Sequence, residues 1–188
     1  MCGIAGYVGD RESADVLVDA LSKLEYRGYD SAGIAVFDHG NIKVKKCKGR
    51  LANLVEKMDE EGKPQGHVGI GHTRWATHGE PSDINSHPHG NKRVTIVHNG
   101  IIENYKKLKD FLVGEGYSFA SETDTEVAAK LLDYYYDGDP MKTIAKVLSE
   151  IKGSYALGIM FRDFPDEIFA VRKDSPLIVG VGEHENFI

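Results

Sequence analysis

The amino-acid sequence predicts one α+β domain in which helices cover a sandwich of antiparallel strands. Short β-type runs recur along the chain, and several are apolar on both faces, as expected of strands buried between layers. Helical stripes alternate with these runs in blocks, and the turn at residues 38–41 predicts a hairpin. These features favour an antiparallel sandwich covered by helices over a doubly wound parallel sheet.

The strands and helices are predicted from local composition and apolar spacing. Strand-like runs lie at residues 4–8, 32–37, 42–48, 68–72, 94–98, 155–161, 168–172 and 177–181. Amphipathic helical spacing covers residues 17–24, 51–58, 105–112, 127–135 and 141–151. Thr123 and Glu126 form a capping box before the fourth helix, and Asp139 with Pro140 predicts the start of the fifth.

Length and composition limit the function classes. The chain has 188 residues, of which 41% are hydrophobic and 28% charged, as in a globular domain with a sizeable core. A net charge of −6 argues against nucleic acid or an anionic membrane as the main partner. We expect neither a signal peptide nor a membrane span, because no charged start precedes an apolar run and the apolar stretches are strand-sized. Two cysteines are too few for a disulfide framework, so we expect a cytoplasmic location.

Cys2 is the most informative residue of the sequence. An initiator methionine before so small a residue is normally removed, so the mature chain would begin with a thiol and a free α-amine. The amine has a pKa of roughly 7.7 to 8.0 and can take the thiol's proton, directly or through one water. An inert buried cysteine is the alternative, but position two and the nearby glycines favour a nucleophile. We expect Cys47, in a strand-like run, to be structural.

The stretch from 73 to 89 is a long polar segment between two apolar strands, a type of loop that often carries function. Arg74 could hold a carboxylate through two parallel hydrogen bonds, or could form a structural ion pair. Trp75 is the only tryptophan, and it could either cover a bound ligand or anchor the loop to the core.

Two further motifs indicate where charge could be stabilised. Asn99 and Gly100 follow a predicted strand, and their N–H groups could form an oxyanion hole, although Asn-Gly is also a common turn. Asp124 lies in the first turn of a predicted helix, where it could bind an ammonium group or serve only the helix terminus.

Five histidines lie between residues 72 and 98, a density that raises the question of a metal site. Their spacings match no helical zinc motif, and a rigid proline separates the nearest pair. We therefore expect no metal and no other cofactor.

Together these motifs resemble the N-terminal glutaminase domain of the glucosamine 6-phosphate synthase (glutamine:fructose-6-phosphate aminotransferase) family. The Cys-Gly-Ile start alone marks a broader group of amidotransferases, which includes amidophosphoribosyltransferase and asparagine synthetase and supplies the alternative assignments. The segments that carry the resemblance are residues 2–4, 26–33, 72–81, 98–104 and 121–127.

The resemblance implies a four-layer αββα fold of the N-terminal nucleophile hydrolase type, with two mainly antiparallel sheets, over residues 1–188. It also implies that Cys2 is the nucleophile and its own α-amine the base. Asn99 and the Gly100 N–H would stabilise the oxyanion. Arg27 would support the nucleophile end of the site.

The resemblance further assigns the residues that bind L-glutamine. Arg74, helped by Thr77, would hold the α-carboxylate of glutamine. Asp124 and the Gly100 carbonyl would hold its α-ammonium group. The loop from Trp75 to His78 would close over the bound amino acid.

The implied reaction is hydrolysis of the glutamine side-chain amide through a γ-glutamyl thioester. Ammonia would then pass to a separate sugar isomerase domain that acts on fructose 6-phosphate, and we expect a homodimer. The final residues have the pattern of the start of a further strand, so we expect a truncated domain without the isomerase. The alternative from another class is a catalytically silent glutamine-binding fragment.

Overall fold

Two antiparallel β-sheets face each other, and helices cover the outer side of each sheet. This arrangement comes from a computed structural model, which describes residues 2–76 and 79–188. The first sheet has six strands in the order β3-β2-β4-β1-β10-β9, and the second has four in the order β5-β6-β7-β8. The strands are β1 Gly3–Gly9, β2 Ser31–Asp38, β3 Asn41–Lys48, β4 Val68–Arg74, β5 His89–Gly90, β6 Val94–Ile102, β7 Gly153–Phe161, β8 Phe169–Lys173, β9 Gly180–Val181 and β10 Glu185–Phe187.

Five α-helices and one 3-10 helix are present in the described part of the chain. They are α1 Ser13–Ser22, the 3-10 helix Glu25–Arg27, α2 Leu51–Glu61, α3 Tyr105–Gly114, α4 Asp124–Tyr135 and α5 Pro140–Glu150. In residues 2–76 and 79–188, each helix falls short of the length and apolar character that a membrane crossing requires.

Three apolar clusters hold the four layers together. One packs α1 and α2 against the first sheet, and another packs α3, α4 and α5 against the second. The third lies between the sheets, where Ala35, Val68 and Ile70 meet Val97 and Met160. This order of layers is the αββα sandwich that the resemblance implied.

Helix α4 begins as the sequence predicted, but the capping box is only half formed. The Thr123 side chain accepts the Glu126 N–H. The Glu126 carboxylate accepts from the N–H groups of Ala120 and Ser121 instead of returning to Thr123. The helix start is therefore tied to the segment before it, which places Asp124 in the first turn.

The strand predicted at residues 177–181 is wrong for most of its length. Only Gly180–Val181 pairs, whereas the side chains of Ile178 and Val179 are 80% and 62% exposed. Apolar composition alone suggests a strand there, but these two side chains are largely uncovered by the described residues. The first helix also ends earlier than predicted, since Leu24 lies beyond α1. The strand predicted near the chain end is confirmed as β10.

Strand β6 runs four residues further than predicted and ends at Ile102. Asn99 and Gly100 therefore pair with Ala156 and Tyr155 of β7 and do not form a turn. The turn alternative for the Asn-Gly pair is excluded by this pairing.

Candidate active site

The site lies where β1 begins and β4 ends, because these antiparallel neighbours bring their opposite termini together. Gly3 pairs with Thr73, which places the preceding Cys2 beside Arg74 and Trp75. A Cβ at Gly3 would lie 2.8 Å from both Leu24 Cβ and Thr73 Oγ1, so only glycine allows this close approach.

The Cys2 thiol is half-buried and contacts the backbone of Trp75. The Trp75 N–H donates to Cys2 Sγ at 3.3 Å, and Sγ lies 3.5 Å from the Trp75 carbonyl oxygen. Burial raises the pKa of the Cys2 thiol, while the Trp75 N–H and the charge of Arg74 act in the opposite direction. The thiol therefore needs a base to become a thiolate near neutral pH.

Arg74 is the last residue of β4 and is only 3% exposed. Its Nη2 donates to the Gly79 carbonyl at 3.0 Å. Burial lowers the pKa of the guanidinium, whereas the negative charges of Asp30 and Asp124 raise it. An arginine stays protonated in proteins, so the site holds a buried positive charge.

Asp124 supplies a buried carboxylate at the other side of the site. It is the first residue of α4, and its Oδ2 accepts the Ile102 N–H at 2.8 Å. Its Oδ1 lies 4.0 Å from Nδ1 of His98. Helix α4 thus places a carboxylate against the end of β6, opposite the guanidinium from β4.

Asn99 and Gly100 lie on β6 next to the thiol. Asn99 Nδ2 donates to the Cys2 carbonyl at 3.4 Å, so the amide reaches the residue that carries the thiol. Gly100 has a φ of +141°, and an added Cβ would lie 2.1 Å from the Ser154 carbonyl oxygen. This position therefore requires glycine.

Cys2 lines two cavities. One is a small cavity of about 20 Å³, too small for an amino acid without opening, which Cys2, Arg74, Trp75, Gly100 and Asp124 line with His87, His98, Thr123 and Thr125. The other is a cavity of about 280 Å³, which is lined by residues that include Cys2, Arg27 and Asn99.

Arg27 and Trp75 can be placed relative to the smaller cavity, whereas two other expected site residues cannot. Arg27 lines the larger cavity, with its guanidinium 5.8 Å from the ring centre of Tyr26, and does not line the smaller one. Thr77 and His78 lie outside the described residues. The Trp75 side chain is 47% exposed and contacts the edge of Tyr29, which rules out the alternative of a core anchor.

Sequence reasoning missed a buried histidine network behind the smaller cavity. The hydroxyl of Thr125 hydrogen-bonds His87 Nε2 at 2.8 Å and His98 Nδ1 at 2.9 Å. The ring of His72 stacks on that of His87, and its Nε2 lies 2.9 Å from the His98 carbonyl oxygen. The density of histidines between residues 72 and 98 is the sequence signal for this network, although it also suggests a metal motif. Among the residues described, no cluster of three or more ligand side chains could hold a metal.

Three buried histidines, His72, His87 and His89, are neutral at physiological pH. Burial lowers the pKa of His72 to about 3 and lowers the pKa values of His87 and His89 well below the ordinary value. They therefore serve as fixed hydrogen-bonding groups and not as proton carriers near pH 7.

Asp30 was also missed, although it lies inside one of the motifs that carry the resemblance. Its Oδ2 accepts the Ala76 N–H. The contact fixes the backbone of Ala76, two residues after the end of β4.

Comparison with known proteins finds a family match and similar relatives for this chain. The family model described as a glutamine amidotransferase domain matches residues 72–188. The chain is 60% identical over 190 residues to the glutamine–fructose-6-phosphate aminotransferase (isomerizing) of Clostridium tetani, and 59% identical to that of Caldanaerobacter subterraneus. Each alignment covers 100% of this chain but 31% of the relative.

Solved structures show the same fold. The glutamine phosphoribosylpyrophosphate amidotransferase from B. subtilis superposes with a TM-score of 0.85 at 27% identity, over 100% of this chain and 41% of that one. A class-II glutamine aminotransferase domain protein from Silicibacter pomeroyi gives 0.69 at 15% identity, over 100% and 87% of the two chains, a likeness of fold alone. On the family match and the shared sandwich, this chain belongs to the glutamine amidotransferase domain family.

Proposed function

We propose that this chain hydrolyses the side-chain amide of L-glutamine to glutamate and ammonia, with Cys2 as the nucleophile. The observation that carries the proposal is one small cavity lined by the Cys2 thiol, the Arg74 guanidinium and the Asp124 carboxylate. A thiol beside one buried charge of each sign suits an uncharged amide attached to an amino-acid head group.

The head group of glutamine would bind between the two charges. Arg74 binds the α-carboxylate with help from Thr77, and Asp124 binds the α-ammonium group together with the Gly100 carbonyl. Both side chains are at least nine-tenths buried, so water screens the two contacts weakly. The small cavity has to open to admit glutamine, and the loop from Trp75 to His78 then closes over it.

The nucleophile requires the removal of Met1, since Cys2 gains a free α-amine only then. That amine takes the thiol proton, directly or through one water, which offsets the effect of burial on the thiol. The thiolate forms a bond to the amide carbon, and the carbonyl π electrons move to oxygen. Arg27 supports this end of the site from the larger cavity.

The oxyanion is stabilised by donors on β6. Asn99 Nδ2 leaves its long contact with the Cys2 carbonyl and donates to the oxyanion together with the Gly100 N–H. The α-ammonium of Cys2 returns its proton to the amide nitrogen, and the C–N bond breaks to release ammonia. Water then hydrolyses the γ-glutamyl thioester and frees the thiol.

The use of the ammonia belongs to a larger protein. The chain spans 31% of the length of its curated relatives, whose name specifies fructose 6-phosphate as the acceptor. We propose that a sugar isomerase domain receives the ammonia, within a homodimer. A cytoplasmic setting fits this chemistry because reducing conditions keep the thiol free.

Assays of glutamate and ammonia release test the proposal on protein whose Met1 removal has been verified by intact mass. Wild type should release both products in equal amounts, and Cys2→Ala should release neither. Cys47→Ala is the matched control, because this second thiol lies in the core under the helices of the first sheet. Glutamine binding by calorimetry without ammonia release would contradict the proposal and indicate a silent binding domain.

A further inference from the structure

We propose that Lys46 is a positioning residue for glutamine binding. Its ammonium group fastens residues 84–88 to the first sheet and so fixes the spacing of Arg74 and Asp124. The inference rests on the proposed function, because those two side chains are the ones assigned to the glutamine head group. Lys46 itself does not line the cavity that they share.

The Lys46 ammonium group donates to three backbone carbonyls of one segment. Its Nζ lies 2.7 Å from the Ser86 oxygen, 3.2 Å from that of Pro88 and 3.3 Å from that of Ile84. An ammonium group has three N–H donors, so each carbonyl can take one. Charged donors make stronger hydrogen bonds than neutral ones, which makes this cluster a firm attachment for the segment.

Residues 84–88 pack directly against the first sheet beside Lys46. Lys46 on β3, Gly33 on β2 and His72 on β4 form one row across three neighbouring strands. A Cβ at Gly33 would lie 2.1 Å from the His87 carbonyl oxygen, so the backbone of the segment rests directly on the glycine. Further along the row, the rings of His72 and His87 stack with centroids 4.1 Å apart.

The fastened segment reaches Asp124 through His87. His87 Nε2 hydrogen-bonds Thr125 Oγ1 at 2.8 Å, and Thr125 directly follows Asp124 in the first turn of α4. A shift of the segment would therefore move the start of the helix that presents the carboxylate.

The same segment reaches the partner of Arg74 through Asn85. Asn85 Nδ2 donates to the Glu80 carbonyl at 2.9 Å, and its Oδ1 accepts the Glu122 N–H at 3.0 Å. The neighbouring Gly79 carbonyl accepts from Arg74 at 3.0 Å. Residues 84–88 are thus connected to the positions of both Arg74 and Asp124, the two side chains that would bind glutamine.

Burial and nearby charges set the pH range in which Lys46 can donate all three of these hydrogen bonds. Burial lowers the pKa of Lys46 to about 8, and the negative charges of Glu126 and Asp83 limit the decrease. His89 lies near enough for the lysine charge to lower its pKa, and Lys57 donates to the Lys46 carbonyl at 3.1 Å. The group is protonated at pH 7 and loses one donor as the pH rises through about 8.

Steady-state kinetics of glutamine hydrolysis test the inference. Lys46→Met keeps the length of the side chain but removes the donors, so KM for glutamine should rise on the order of tenfold while kcat changes less than about threefold. Amide hydrogen exchange in a peptide covering residues 82–90 should accelerate. Lys46→Arg keeps a charged group with several donors and should restore most of the affinity. Lys48→Met, at an exposed position of the same strand, is the control and should leave KM unchanged.

Two results would overturn the inference. One is an unchanged KM together with unchanged exchange in Lys46→Met, while wild type hydrolyses glutamine. The other is an equal rise of KM with pH through 8 in wild type and in Lys46→Arg, a comparison that holds even if Lys46→Met does not fold. A wild type that fails to hydrolyse glutamine would instead refute the proposed function. The hydrogen-exchange comparison would still test whether Lys46 holds residues 84–88 against the sheet.

Discussion

Asn99 is the residue whose loss should affect chemistry with little effect on binding. Its amide would donate to the oxyanion, a charge that is absent from bound glutamine and develops only as the thiolate adds. We expect Asn99→Ala to lower kcat by about 10²- to 10³-fold with a small change in KM, measured by glutamate release. A loss confined to KM would mean that the amide binds glutamine in its ground state and would contradict the oxyanion assignment.

Substitution of Arg74 should instead weaken glutamine binding and so change KM more than kcat. A lysine at this position keeps the charge but cannot form two parallel hydrogen bonds to a carboxylate. We expect Arg74→Lys to raise KM by about 10- to 100-fold, since a lost hydrogen bond to a charged group costs about 1.5 to 3 kcal/mol. Arg93→Lys is a matched control, because Arg93 forms an ion pair with Asp133 away from the site. Equal KM values for Arg74→Lys and wild type would exclude the carboxylate contact.

At the scale of single elements, strand β6 depends on the backbone of Gly100. Its φ of +141° and the Ser154 oxygen both oppose a side chain there. We expect Gly100→Ala to lower the free energy of unfolding by at least about 2 kcal/mol, measured by urea denaturation. Gly114→Ala is the control with the opposite sign, because this helical glycine has open space around it and alanine should add about 0.5 to 1 kcal/mol. Equal stability of the two variants would contradict the strain argument.

Secondary structure that depends on nearby residues could be predicted from the sequence. Strand boundaries that depend on pairing with a distant strand could not. The start of α4 followed from a capping box, and the hairpin between β2 and β3 followed from its turn. The run at 177–181 has strand composition, but it finds a strand partner only at its last two residues. Asn99-Gly100 has turn composition, yet pairing with β7 extends the strand through it.

The candidate site shows the same division. Cys2, Arg74 and Asp124 could be chosen from residue type and position, because each stands beside a recognisable strand end or helix start. Lys46 could not, since it is one of several lysines in a row and only the register of β2 and β3 turns it toward residues 84–88. The position of Lys46 against residues 84–88 depends on contacts between distant parts of the chain, which the sequence pattern does not reveal.

For the whole molecule, neutral histidines where the two sheets meet should make stability fall in mild acid. His72 has its pKa lowered to about 3, and the pKa values of His87 and His89 are also depressed. Below pH 6.5 the unfolded chain protonates these groups and the folded chain does not. The unfolded state then binds up to three more protons, so stability declines as pH falls, with a limiting slope of about 4 kcal/mol per pH unit.

Urea denaturation at pH 7.5, 6.5 and 5.5 measures this decline. The window stays above the range in which carboxylates titrate, so the histidines dominate the change. Most of the loss should occur between pH 6.5 and 5.5. Stability that stays constant down to pH 5.5 would contradict the burial of neutral histidines between the sheets.

We propose that Cys2, once its α-amine is free, attacks the side-chain amide carbon of glutamine. The most direct measurement treats the protein with a glutamine analogue that carries an electrophilic diazoketone in place of the amide, followed by intact-mass and peptide analysis. We predict that every chain lacking Met1 gains one adduct on Cys2, that chains retaining Met1 remain unmodified, and that excess glutamine protects. An adduct on Cys47, or no adduct on correctly processed chains, would contradict the assignment of Cys2 as the nucleophile.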